Sequence, residues 1–133
     1  IVYEGPASMG QHCKMANQIC LSGALAGVCE AISYARATGL DPATMLDTIG
    51  TGAAASWQLS NNGYKMLQQD YAPGFYSTHF IKDMKLAEGE AQERQLSMPV
   101  LRQVLSMFLQ LDEMGFGLDG TQALIKVYEE NKQ

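Results

Sequence analysis

One lysine and two amides, at positions 14, 17 and 18, are the side chains of this sequence best spaced to do chemistry together. In Gly5-Pro-Ala-Ser-Met-Gly10-Gln-His-Cys-Lys14-Met-Ala-Asn17-Gln18 a glycine-bearing loop runs into a helical pattern. At about 3.6 residues per turn, Lys14, Asn17 and Gln18 fall on neighbouring turns and can share one face. That sets a proton carrier beside two hydrogen-bonding amides. A lysine on a helix is ordinarily a solvated one. Near a helix start and among apolar and amide neighbours, however, the positive helix end and desolvation lower an ammonium from its usual pKa of about 10.4. A lysine so lowered exchanges protons near neutral pH.

Other chemistries fit less well. Gly5-x4-Gly10 with a lysine four residues on invites comparison with a phosphate-binding P-loop, but Gln11-His12-Cys13 separate the glycine from the lysine. The P-loop needs Gly-Lys-Ser/Thr in direct succession, so that lysine and hydroxyl both reach the phosphates and magnesium. The dinucleotide fingerprint G-x-G-x-x-G is absent. His12, Cys13 and His79 do not make a metal site, because adjacent helix residues diverge by about 100° and zinc needs several converging ligands. Cys13, Cys20 and Cys29 are odd in number, contain no CxxC pair and lie in a helical pattern. They read as small buried apolar residues in a reducing, cytoplasmic setting.

The elements that must hold these residues are helices. With 47% hydrophobic and 17% charged residues, 133 residues can bury the core of one globular domain. The net charge of −5, with dispersed basic residues, gives no footprint for nucleic acid and no basic amphipathic face for a membrane. No apolar run approaches the roughly 20 residues of a membrane span, so a soluble chain is expected. The opening Ile1-Val-Tyr-Glu-Gly reads as the end of a strand or linker, and hence as part of a longer protein.

From Ser8 to about Ala37 the apolar residues recur at helical spacing without proline, which predicts one long helix closed by Gly39. Ile19, Leu25, Val28 and Ile32 lie on several faces, so other helices must enclose it. Gly23 and Gly27 would admit a close neighbour. Asp41-Pro42 opens a second helix to about Ile49, stopped by Gly50-Thr-Gly52. Ser56 to about Gln68 reads as a helix interrupted near Asn61-Asn62-Gly63. A loop over Asp70–Phe75 precedes a helix from Ser77 to about Leu96 with Phe80, Ile81, Met84, Ala87 and Ala91 as its apolar stripe. Pro99 to Met114 forms the next, and a last helix from Asp119 or Gly120 runs to about Glu130. Nothing alternates with period two for long, so the expected architecture is an all-α bundle around the long first helix.

Two segments together carry a resemblance. Gly5-x4-Gly10-x3-Lys14-x2-Asn17-Gln18, and far along the chain Pro73-Gly74-Phe75 with Phe80-Ile-Lys82-Asp83-Met84-Lys85-Leu86-Ala87, resemble the catalytic and cofactor-side motifs of the β-hydroxyacid dehydrogenases. That family includes 3-hydroxyisobutyrate dehydrogenase and tartronate semialdehyde reductase and is related to 6-phosphogluconate dehydrogenase. Thr51-Gly52-Ala53 and Gly115-Phe-Gly117 resemble its turns. The resemblance implies that this chain is the all-α C-terminal domain, and that an N-terminal Rossmann domain, absent here, holds most of the NAD or NADP. It implies that Lys14 is the general acid/base, that Asn17 and Gln18 bind a small hydroxy acid, and that Gly10 lets backbone approach that substrate. Many relatives have asparagine where Gln18 stands. Lys82 and Phe75 are implied on the cofactor side of the site, with Asp83 orienting Lys82, while Phe80 is assigned to the core. Lys14, Asn17, Gln18 and Lys82 should then face one cavity. Relatives form homo-oligomers through this region, and a non-catalytic helical dimerisation module is the alternative reading of the small-residue helix.

Overall fold

The computed structural model describes residues 7–131, and the expectations for Gly5 and for the opening Ile1–Gly5 stretch lie outside them. Among the described residues six α-helices surround one core. The first, α1 (Ala7–Thr38), is the expected long helix. Proline-free and rich in alanine, it runs until Gly39 at φ +81°, a left-handed position that glycine adopts without strain. Leu25, Val28, Cys29, Ile32 and Ala35 are its buried stripe. It touches each of the other five helices, α2 (Pro42–Ile49), α3 (Gly63–Leu67), α4 (Ser77–Glu93), α5 (Pro99–Glu113) and α6 (Ile125–Glu130).

The sequence reading of α1 needs one correction. By length and composition this helix is apolar enough to cross a bilayer. A search for an unbroken apolar run misses that, because glycine, serine and amides are scattered through it. In this fold its contacts are those of a core helix.

Local chemistry explains most boundaries. Asp41 caps α2 by accepting from the Thr44 backbone N–H at 3.0 Å and the Thr44 hydroxyl at 2.8 Å, with Pro42 at the first turn. Those two hydrogen bonds hold the Asp41 carboxyl below its usual pKa. The folded value is depressed, so the cap stabilises fully above the unfolded pKa near 3.9 and fades as pH falls through the lower folded value. Thermal melts of Asp41→Ala are therefore expected to show a lower midpoint at pH 7, and a gap to the parent that closes in strong acid.

Helix α4 stops at Glu93, earlier than Leu96, because Gln95 turns left-handed at φ +56° and the Leu96 N–H returns to the Ala91 carbonyl at 2.9 Å. Its predicted stripe, Phe80, Ile81, Met84, Ala87 and Ala91, is buried throughout. The terminal helix begins as a 3₁₀ turn, Thr121–Leu124, before α6.

The segment expected to break at Asn61-Asn62-Gly63 does not break. Residues Gln58–Asn62 form a π-helical turn that passes directly into α3. Widening the helix keeps it continuous while redirecting its side chains. Gly63 then sits where an added Cβ would lie 3.3 Å from the Leu46 methyls and 3.4 Å from Val28, so its lack of a side chain lets α3 close against α1 and α2.

The cysteines also differ from expectation. Cys29 is buried with Sγ 3.9 Å from Met66 Sδ, and burial pushes its thiol up, but Cys13 and Cys20 are exposed. Gly27 has nothing near it, and Gly23 meets only Val100 at 3.7 Å, so neither glycine marks a tight crossing within this chain.

Candidate functional site

Helix α1 contributes Asn17 and Gln18 to an open cavity of about 760 Å³. The π-helical turn and α3 also line it, supplying Gln58, Asn62 and Lys65, with Trp57 beside them in sequence. The loop before α4 adds Gly74 and Phe75, and the 3₁₀ turn adds Thr121 and Gln122. That loop has no regular structure of its own and is held from outside. Gln122 Nε2 donates to the Asp70 and Ala72 carbonyls at 2.9 Å each, Gly120 N–H donates to Tyr71 O at 2.8 Å, and Thr121 N–H donates to Phe75 O at 3.1 Å. These bonds set Phe75 against the cavity. Its ring also meets Phe80 edge-on at 5.9 Å.

The two amides form a relay. Asn17 Nδ2 donates to Gln18 Oε1 at 2.9 Å, and Gln18 Nε2 donates to Asp83 Oδ2 at 3.0 Å. Gln18 is buried, whereas Asn17 is exposed. The longer glutamine thus has a defined task, since its extra methylene carries the amide across to α4. Asp83 accepts from Gln18, and among the described residues it makes no ion pair with Lys82. Neighbours on a helix diverge by about 100°, which is why Asp83 does not orient Lys82 as expected. Removing the amide in Gln18→Ala leaves a half-buried carboxylate short of a donor. Urea denaturation should register a loss of about 1–3 kcal/mol.

The lysines are arranged differently from the expectation of one shared cavity. Lys14 is exposed, one turn before the amides, and does not line the cavity. Lys82 is also exposed and lines a separate groove on α4 with Thr78, Ile81, Lys85 and Asp112. Gly10 is exposed, with no atom within 4 Å of where a Cβ would stand. Phe80 is fully buried, as assigned. The amides and the aromatic residue therefore meet, while the two basic groups stand on open surfaces beyond them.

Among the described residues no three His, Cys, Asp or Glu side chains gather as a metal would require. The strongest upward pKa shifts fall away from the cavity. Burial raises Cys29 and Tyr128, the latter also by donating to Glu30 at 2.7 Å.

Trp57, Gln58, Asn62, Lys65, Thr121 and Gln122 were not singled out from sequence as site residues. The signal for four of them was the dense polar run through Asn61-Asn62-Gly63, which reads as a helix break until the π turn is seen.

Among the described residues, fold and cavity together define an all-α helical unit with an amide-lined hollow on one flank of its long first helix. The chain belongs to the family described as NAD-binding of NADP-dependent 3-hydroxyisobutyrate dehydrogenase, whose model matches residues 8–128. It is 46% identical to the uncharacterized oxidoreductase YkwC of Bacillus subtilis over 96% of this chain and 44% of that protein. It is 38% identical to the probable 3-hydroxyisobutyrate dehydrogenase-like 1, mitochondrial, of Arabidopsis thaliana, over 96% of this chain and 38% of that protein. The crystal structure of 3-hydroxyisobutyrate dehydrogenase from Salmonella typhimurium superposes with a TM-score of 0.83 at 28% identity, over 90% of this chain and 42% of that one. The chain thus spans less than half the length of the relatives it matches.

Proposed function

We propose that this chain is the all-α part of an NAD(P)-dependent enzyme that oxidises a small 3-hydroxy acid or reduces the matching semialdehyde. The observation that carries the reading is the 3.0 Å hydrogen bond from Gln18 to Asp83, 65 residues apart, which ties the lysine-bearing segment to the Lys82-Asp83 segment. Two motifs that resemble one active site in sequence are physically joined.

A nicotinamide cofactor, when bound, supplies the hydride acceptor or donor. The residues present fit one side of such a group. Lys82 and Lys85 offer positive charge on an open groove, and Phe75 offers an aromatic face at the cavity rim. The remainder of the cofactor's surface falls to an N-terminal Rossmann domain. Lys14 holds and returns the proton of the substrate oxygen as a hydroxyl becomes a carbonyl or the reverse. Asn17 and Gln18 orient the substrate, with Gln18 itself fixed by Asp83. Gly10 leaves room for substrate to approach the backbone. Lys14 is exposed in this chain, and an N-terminal domain packed over the first turns of α1 would desolvate its ammonium.

The 133-residue chain alone is expected to show no NAD(P)-linked turnover of 3-hydroxyisobutyrate, and the protein extended upstream of Ile1 is expected to show it. Absorbance at 340 nm reads both. An extended protein that folds but turns over no 3-hydroxy acid or semialdehyde would refute the reading. A homo-oligomeric, non-catalytic role draws on the small residues Gly23, Ala24, Ala26 and Gly27 of α1, of which Gly27 is exposed and Ala26 is buried within this chain. Light scattering combined with that inactivity would favour it.

A further inference from the structure

Lys65 stands apart from the other basic side chains of this molecule. Arg36, Arg94, Arg102 and Lys126 each pair with a carboxylate. Among the described residues Lys14, Lys65, Lys82 and Lys85 form no ion pair. Three of these four are exposed, where water solvates an ammonium fully, but Lys65 is half-buried. Among the described residues it is also the one charged side chain lining the cavity that holds Asn17 and Gln18, with no aspartate or glutamate beside it there. Most of the remaining wall is apolar or amide, including Leu21, Ala24 and Trp57.

A cation partly removed from water, in a hollow with no anion of its own, favours an anionic guest. Next to it, Asn62 Nδ2 donates to Gln58 Oε1 at 2.7 Å, which leaves the Gln58 amino group and the Asn62 carbonyl for other partners. Lys65, on the last turn of α3, lines the same cavity as the α1 amides. A ligand that reached both would present a polar group to Asn17 and Gln18 and a negative one to Lys65. At about 760 Å³ the hollow exceeds what a four-carbon hydroxy acid needs.

We propose that Lys65 is the counter-ion for a second anionic group on the substrate, making the preferred substrate a hydroxy acid with a negatively charged distal substituent. This rests on the dehydrogenase reading only for the word substrate. Binding of the dianion does not depend on turnover.

The test uses the full-length protein and two probes of equal length, succinate and succinamate, in which an amide replaces one carboxylate. Isothermal titration should show succinate binding about ten- to a hundredfold more tightly, the range expected for a hydrogen bond to a charged group. Lys65→Gln should abolish that preference by weakening succinate alone, and Lys65→Arg should keep most of it. Equal affinity for the two probes, equal weakening of both by Lys65→Gln, or no binding of either at millimolar concentration overturns the proposal. A lowered melting temperature of Lys65→Gln with the succinate preference intact overturns it too, since that is the mark of a residue serving only the end of α3. Turnover of 3-hydroxyisobutyrate is assayed separately. Loss of the dianion preference with turnover present sinks Lys65, whereas the preference without any turnover sinks the enzyme.

Discussion

Lys14→Ala in the full-length enzyme is expected to lower kcat/KM by roughly 10² to 10⁴, the range for losing a positioned general acid/base, or about 3–5 kcal/mol of barrier. Lys14 is exposed, and among the described residues it makes no ion pair, so its removal breaks no ion pair there. The melting temperature should be unchanged. That pairing of a large kinetic loss with an intact fold distinguishes a proton carrier from a structural lysine. A variant within threefold of the parent rate would remove Lys14 from the mechanism, whatever the motif around it resembles.

Phe80→Ala should destabilise the domain by about 3–5 kcal/mol, through lost transfer free energy and the cavity left behind. Phe80 is completely buried between α4 and α5, with its ring edge-to-face against Phe108 at 5.2 Å and 88°. Such aromatic pairs add about 0.5–1.5 kcal/mol beyond area burial. Against a total stability of about 5–15 kcal/mol, this is enough to unfold a sizeable fraction of molecules at moderate denaturant. The second ring against Phe80 is Phe75, at the cavity rim. Unfolding midpoints in urea would measure the loss. A cost below about 1 kcal/mol would mean that the core closes over the gap, contrary to the packing density expected of interiors.

The two expectations differ in how far sequence carried them. Phe80 was legible as core because its neighbours Ile81, Met84, Ala87 and Ala91 recur at helical spacing, and all are buried. Asp41-Pro42 was legible as a helix start because capping is a contact between residues three apart. The π-helical turn was not legible. Its polar residues read as an interruption, and nothing local distinguishes a break from a helix that widens and continues. Nor could the partner of Gln18 be read, since the Asp83 carboxylate reaches it only after α4 docks on α1.

What the amino-acid order determined by itself is the set of helices, their caps, their apolar stripes and the family to which they belong. Each of these depends on residues within a turn or two of one another, or on motif spacing along the chain. The tertiary structure decided which side chains meet. It joined Asn17 and Gln18 to Asp83, gathered Trp57, Phe75 and Lys65 around one hollow, and left Lys14 and Lys82 on separate open surfaces. The physical reason is that periodicity gives the face of a helix on which a residue lies, whereas the neighbour of that face depends on how distant helices pack.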